Sequence, residues 1–459
     1  MNKGFFLLVG ILFFFSLSVK TARCAEIERV GDGRMPRVKV NSDGTIHVIA
    51  SSGEGIYHYS GTTGSWNGGL ISGTDNVSNN KCNQPFIGIS LSEAIHLVYG
   101  PTPDMPKPDE MREPTHGLFY AINEGGTWGM PENIIDLYIE YEAIEFDSTG
   151  IPLIVALVVV EPAIDPAQRT NYGGAVWFRK EGETWNGPVM LREPEVKYPT
   201  LQRDLEGRVH LVMRWQYVHY SMFSGGSWHN LPDTGDTFDN ILLLDTNYSM
   251  SAPSIFVDPS GVVHVVAAAC HRISPDNWQW DHARYSFNDG GGWSEEHSNR
   301  KDGEMVMGGG VNLCSVGVDS AGLVHVFCVD GERNLLHSTG GPGSWSLPEV
   351  VDVGLSDTED LPAFDTVNVN DTIHTFYAKP DGVYHLTLDK VVIQPEERFE
   401  ETFEMTESPV YEEIAEQTSD FLNTEESCFP EYAEILDGDY AERGVTEFSG
   451  GCGCRMIEF

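Results

Sequence analysis

Positive charge is what this chain has least of: 28 Lys and Arg stand against 69 Asp and Glu in 459 residues, a net charge of −41. So acidic a surface repels phosphate backbones and anionic headgroups. Nucleic acid and anionic membranes are therefore poor partners, and cations or neutral, locally recognised ligands fit better. Cysteine is also sparse, and eight residues in a chain of this length cannot form a disulfide scaffold. Cys270, Cys314 and Cys328 sit in apolar strand contexts, where buried thiols and bridges are both open. Beyond the N-terminus no apolar run is long enough to cross a bilayer, so no membrane span is expected in the mature chain.

The one long apolar run, Phe5 to Val19, follows Lys3 and precedes Ala22-Arg23-Cys24. A basic start, an apolar middle and small residues before a cut predict a secretory signal over 1–24, cleaved before Ala25. Arg23 argues against Cys24 as a lipid-bearing residue, because such signals place a small residue there. Export follows, to the medium, the periplasm or the cell surface.

Turn residues are plentiful, with 48 Gly and 25 Pro, and they recur with a period. A phrase near Val-Asp-x-x-Gly-x-apolar-His appears most clearly at Val257–Val265 and Val318–Val326. Weaker copies centre on His47, His96, Leu153 (where the His is missing), His210 and His374. The centres lie 49, 57, 57, 54, 61 and 49 residues apart. In the first copy, Pro36–Val40, Thr45–Ala50, Ile56–Ser60 and a segment with Trp66 read as four short strands separated by Gly-rich turns. One such unit cannot bury both faces, so units must stack around an axis. The expectation is an all-β, seven-bladed β-propeller of four-stranded antiparallel blades over 26–390. Six blades remain open, because the second and third copies are the most degenerate. The repeated His fall mid-strand among apolar neighbours and are spread around a ring, which predicts structural histidines rather than converging metal ligands. Trp66, Trp128, Trp185, Trp228, Trp293 and Trp345 are expected to pack between blades.

Segment 391–459 leaves the pattern. It carries 19 Asp and Glu against 3 Arg and no Lys, a net charge of −16, and is expected to be an acidic tail, disordered or loosely helical.

At the Trp segments the chain resembles a family. Asn123–Trp128, Ser224–Trp228 and Asn288–Trp293 look like degenerate Asp boxes (the S-x-D-x-G-x-x-W turns of sialidase-type, BNR-repeat propellers) with the Asp mostly absent. Arg34-Met35-Pro36 is similar to the R-I-P motif opening the first blade of sialidases. The terminal Cys452-Gly453-Cys454-Arg455 resembles the core of a myxosortase-type sorting signal, but stops at Phe459 without that signal's transmembrane helix.

Strand order puts the second-to-third and blade-to-blade connections on one face. That face receives the long segments Gly100–His116, Glu161–Tyr172, Asp233–Ser251, His271–His282 and Glu295–Gly310. Elaborated loops on one end of a rigid scaffold are where ligands usually bind. Arg34, Arg214 and Arg272 fall at strand ends on that face, and the resemblance implies an arginine triad clamping a carboxylate. It likewise implies Tyr377 as a nucleophile, Glu161 as its base, and Asp104 or Asp109 as an acid. Trp278, Trp280 and His282 are candidates to stack on a sugar ring. Asp233, Asp236 and Asp239 could hold calcium, although without the glycine geometry of a known loop, so no cofactor is expected. Three functions follow: a non-catalytic propeller binding carbohydrate or a cell-surface ligand, a sialidase-type exo-glycosidase acting on terminal acidic sugars, or a protein-binding scaffold. The first is preferred, since no motif fixes a nucleophile.

Overall fold

A computed structural model describes residues 25–75, 85–100, 117–161, 171–192, 197–214, 217–229, 241–243, 248–274, 277–290, 292–294, 296–297, 300–301, 303–356 and 364–388. The acidic segment 391–459, the terminal Cys-Gly-Cys and Cys82 lie outside these residues. Among them there is no helix. Seven antiparallel sheets of four or five strands follow one another along the chain, one per sequence repeat, with a separate two-stranded pair of Glu296–His297 and Arg300–Lys301. Blade 1 is a simple meander of Arg34–Val40, Ile46–Ser52, Gly55–Thr62 and Ser65–Leu70. Blades 2 to 6 begin at Phe86, Tyr138, Lys197, Tyr248 and Leu313. In blade 7, Phe364–Val369, Thr372–Lys379 and Gly382–Leu388 are joined by a fourth strand from the other end of the chain, Ala25–Gly31. It runs antiparallel to the third strand, with Ala25 opposite Leu388 and Arg29 opposite Tyr384. The degenerate second and third repeats are complete blades, so the count is seven.

The core is divided among the blade interfaces. Seven apolar clusters each join two neighbouring sheets, and the last of them brings Val30, Phe376 and Val383 of blade 7 against Val38, Val48 and Tyr59 of blade 1. Burial between like sheets thus drives closure, as the stacking of repeats requires.

The repeated phrase has a physical explanation at each of its positions. In blade 4, Asp204 Oδ1 accepts the backbone N–H of Glu206 (2.9 Å) and Arg208 (2.8 Å), closing the turn between first and second strands. Gly207 takes the left-handed conformation that this turn needs (φ 77°). Asp204 Oδ2 lies 3.1 Å from His210 Nε2, and His210 Nδ1 lies 2.8 Å from the Tyr220 hydroxyl. A carboxylate only accepts here, so His210 donates from Nε2 and accepts from Tyr220 at Nδ1. Blade 5 repeats the turn and the tyrosine contact with Asp258, His264 and Tyr285, with His264 Nε2 standing farther off, 3.5 Å from Asp258 Oδ2. Elsewhere the third-strand partner is Tyr120, or a second histidine in the pairs His47–His58, His325–His337 and His374–His385. Burial holds His96 and His374 down to about 4, so these rings are neutral structural groups. Blade 3 has Leu153 and Trp177 at these two positions, and Arg179, directly opposite Leu153, donates instead to Asp147 Oδ2 (2.8 Å).

The tryptophans complete the interfaces. Trp128, Trp185, Trp228, Trp293 and Trp345 each set a ring edge near the third-strand His58, Tyr120, Trp177, Tyr220 or Tyr285 of the preceding blade, with centroids 4.9–6.4 Å apart. Trp66 does the same to His385 across the closure. Both structural expectations, for the repeat histidines and for the tryptophans, hold. In blade 6 Cys314 and Cys328, directly opposite each other, form a disulfide, while Cys270 is buried in the second strand of blade 5.

Candidate functional site at the mouth of the ring

Strand polarity sets the two faces apart. On one, the first-to-second and third-to-fourth connections are tight turns such as Asp258–Val262 and Gly225-Gly226. On the other lie the ends of the long connections, whose central portions 101–116, 162–170 and 357–363 fall outside the described residues. Segment 230–240, also outside them, instead interrupts the fourth strand of blade 4, whose parts Ser227–His229 and Ile241–Leu243 both pair with the third strand. The expected loop from Glu295 likewise interrupts the fourth strand of blade 5, between Trp293 and Glu304. Asp104, Asp109 and the acidic triplet Asp233, Asp236 and Asp239 lie outside the described residues.

First strands begin on the long-connection face, around the axis. Three of them begin irregularly: the register shifts between Arg34 and Arg37, Glu140 and Glu142, and Lys197 and Thr200. At each shift a bulky residue takes a left-handed conformation, Met35 (φ 53°), Tyr141 (φ 55°) and Tyr198 (φ 55°). Such a backbone costs on the order of 1 kcal/mol or more per residue, and bulges of this kind re-aim a side chain. Here they turn three side chains into one cluster with Leu157 and Ala252. Its members come from blades 1, 3, 4 and 5, which can meet only at the axis. The Tyr141 and Tyr198 rings are 4.4 Å apart at 56°, and all five side chains are buried. They floor the mouth of the ring.

Charge is placed around and beneath this floor. Arg34 is exposed beside Met35, and the Arg214 guanidinium sits 5.7 Å from the centroid of the Tyr198 ring. Below, Arg37 is buried with its guanidinium 4.3 Å from the Phe86 ring centroid. Burial lowers its pKa, while the charges of Asp365 and Glu142 act the other way. Asp365 is raised by burial although Arg37 and the Val38 N–H oppose this. Glu142 is fully buried and accepts the N–H of Gly100, the residue where the long second-blade connection leaves the sheet. Lys39 reaches Glu145 at 2.6 Å.

Arg34 and Arg214 therefore both border the floor. Arg272 lies in the second strand of blade 5, opposite Trp278, and Glu161 ends the second strand of blade 3, opposite Asn171; nothing further is described of these side chains. Tyr377 is placed elsewhere than on the axis. It is fully buried in the cluster between blades 6 and 7, and its hydroxyl donates to Asp352, which also takes Lys379 Nζ at 2.8 Å. Burial first, and then Asp352, push its pKa far above the ordinary value, which is the direction opposite to an activated phenolate. Trp280 packs against the cluster between blades 5 and 6. His282 is buried, its Nε2 accepting from Arg284 Nε at 2.8 Å and its Nδ1 3.2 Å from Asp281 Oδ2. A register shift between Ala269 and Cys270 separates the two rings. Among the described residues no group of His, Cys, Asp and Glu is arranged to hold a metal ion.

The floor itself was missed by the sequence reading. Its signal was present, since Met35, Tyr198 and Ala252 each precede a strand-opening proline (Pro36, Pro199, Pro253). A residue before proline is steered away from the helical region, but nothing local says that it will swing to the axis.

Neither a family model nor a curated protein matches the sequence. Solved structures do. BP39L lectin from Burkholderia pseudomallei aligns with a TM-score of 0.51 at 12% identity, over 78% of this chain and 96% of the lectin. The polysaccharide lyase Uly1 aligns at 0.47 and 9% identity, over 78% and 90% of the two chains. An alpha-L-arabinanase of Penicillium chrysogenum aligns at 0.40 and 11% identity, over 67% and 93%. At such identities it is the fold that is shared, and the lectin shares it over nearly its whole length.

Proposed function

We propose that this is an exported, sialidase-like propeller without catalytic activity, which binds carbohydrate or another sugar-bearing surface ligand at the long-connection face, over the Met35–Tyr141–Tyr198 floor. The observation that carries this reading is the floor: three left-handed backbones bring side chains of blades 1, 3, 4 and 5 together at the axis. Strain of that kind, spent on gathering side chains of separate blades at the axis, supports a ligand site there. The lectin with a similar fold makes carbohydrate the first class to test. Arg34 and Arg214 at the rim favour a sugar bearing a carboxylate. The disulfide in blade 6 agrees with an oxidising, extracytoplasmic location. The buried, Asp352-bound Tyr377 favours binding over hydrolysis.

The test is calorimetric titration of the intact protein with sialyl and uronic oligosaccharides and their neutral counterparts. Binding of acidic sugars that weakens at least tenfold in Arg214→Ala supports the reading. Equal heats for wild type and variant, or release of a fluorophore from a sialoside that stops in Tyr377→Phe, overturn it.

A further inference from the structure

The ring is closed by a strand that no hairpin ties to its blade. Ala25–Gly31 pairs along one edge only, with Gly382–Leu388, and residues 25 to 27 are exposed. Two of its side chains anchor it: Arg29 donates to the Asp381 carbonyl at 2.8 and 3.2 Å, and Glu28 reaches both blades. Glu28 Oε1 lies 2.8 Å from His385 Nδ1 and 2.9 Å from Trp66 Nε1, and both of its oxygens take the Gly64 N–H at 2.9–3.0 Å. One carboxylate therefore holds blade 7 and blade 1 together. Behind it, His385 Nε2 is 2.8 Å from His374 Nδ1, and the two rings stack at 5.0 Å and 10°.

We propose that this cluster is an acid-labile clasp: mild acid breaks the Glu28–His385–His374 chain and releases the N-terminal strand before any other part of the ring opens. The chain of donors runs one way at neutral pH. His385 donates from Nδ1 to Glu28, so its Nε2 is an acceptor and takes the His374 Nδ1 hydrogen. A second proton on this pair puts two imidazolium rings in stacking contact, and neither can then accept from the other. Few groups can compensate. The titratable groups facing the pair are Glu28 from the closing strand and each histidine for the other. Blade 1 offers the Trp66 ring edge, and blade 7 itself offers the Phe376 face and the Thr387 hydroxyl, 3.2 Å from His385 Nε2.

The direction follows from burial. It depresses both histidines, His374 to about 4, whereas a released strand leaves them near the ordinary 6.5. The released state therefore binds more protons, and release grows as pH falls from about 6.5 towards 4, by about tenfold per pH unit for each proton taken up. Glu28 keeps its charge into that range: burial opposes ionisation, but His385, Trp66 and the Gly64 N–H together hold it below its ordinary value. Blades 1 and 6 also carry stacked histidine pairs, His47–His58 and His325–His337, but those sit in sheets whose strands are joined by tight turns. In blade 7 the edge strand Ala25–Gly31 can leave without breaking a hairpin.

Hydrogen exchange of the full chain, read by mass spectrometry between about pH 7 and pH 5 and corrected for intrinsic rates, tests this. Segments 25–31 and 382–388 should lose protection by about tenfold or more per pH unit while 263–274 in blade 5 keeps theirs. His374→Gln should flatten that dependence, and so should an oxidised cysteine pair in place of the opposed Arg29 and Tyr384. Protection lost equally in blade 5, or an unchanged pH dependence in the stapled protein, overturns the proposal.

Discussion

Asp204→Ala is the substitution from which the repeat phrase can be weighed. The Asp204 carboxylate is almost wholly buried and takes four donors: the N–H groups of Glu206 and Arg208, His210 Nε2, and Arg208 Nε at 2.5 Å. Two backbone bonds are worth about 1 kcal/mol each, and a buried bond to a charged group about 1.5–3 kcal/mol. The Arg208 pair is partly exposed and adds only a fraction of that. Removal should therefore cost about 4 kcal/mol. Asp319 supplies a contrast, since it closes the same turn through Ala321 and Leu323 but stands 3.6 Å from His325 Nε2 and has no arginine partner in its turn. Asp319→Ala should cost about 2 kcal/mol. With about 2.1 cal/mol/K of unfolding entropy per residue, a ring of this size shifts by roughly 1.3 °C per kcal/mol. Calorimetry at neutral pH should thus place Asp204→Ala about 5 °C and Asp319→Ala about 2–3 °C below wild type. Equal shifts, or the reverse order, would refute the idea that the Asp–His–Tyr chain adds to the turn it grows from.

Three further outcomes follow. Arg179→Met should destabilise blade 3 by about 1–3 kcal/mol, because Asp147 Oδ2 loses its N–H donor, and adding Leu153→His should recover part of that in urea unfolding. Gly207→Val should cost more than Gly225→Val in the same assay. Both are left-handed, but a Cβ at Gly207 would come within 2.5 Å of Ser148 backbone and side chain, whereas Gly225 faces open space. Met35→Gly should leave the ring folded and relieve backbone strain while weakening acidic-sugar binding several-fold, a separation of stability from affinity that calorimetry reads directly.

Much of the fold was legible in the sequence because the repeat has a physical meaning at each position. The Asp closes a turn, the Gly allows it, the His crosses to the third strand, and the Trp covers that pair from the next blade. The closing strand was not legible. Ala25–Gly31 lies 351 residues before its partner Gly382 begins and carries none of the phrase, so nothing local in the chain distinguishes it from a leader. The site was legible in outline only. Topology put Arg34 and Arg214 at strand ends, and the residues found beside them, Met35, Tyr141 and Tyr198, depend on bulges that only the assembled sheets define. Tyr377 illustrates the opposite hazard: a strand-end position on the right face whose side chain turns into the interface between blades.

The central claim is that ligand binds over the tyrosine floor and nowhere on the opposite face. The most direct measurement is a glycan array probed with three proteins: wild type, Tyr198→Ala, and Leu205→Ser, which alters an 84% exposed leucine in a short turn on the far side. The account predicts acidic glycans bound by wild type and Leu205→Ser alike and lost in Tyr198→Ala. Retained binding in Tyr198→Ala, or loss in Leu205→Ser, would contradict it.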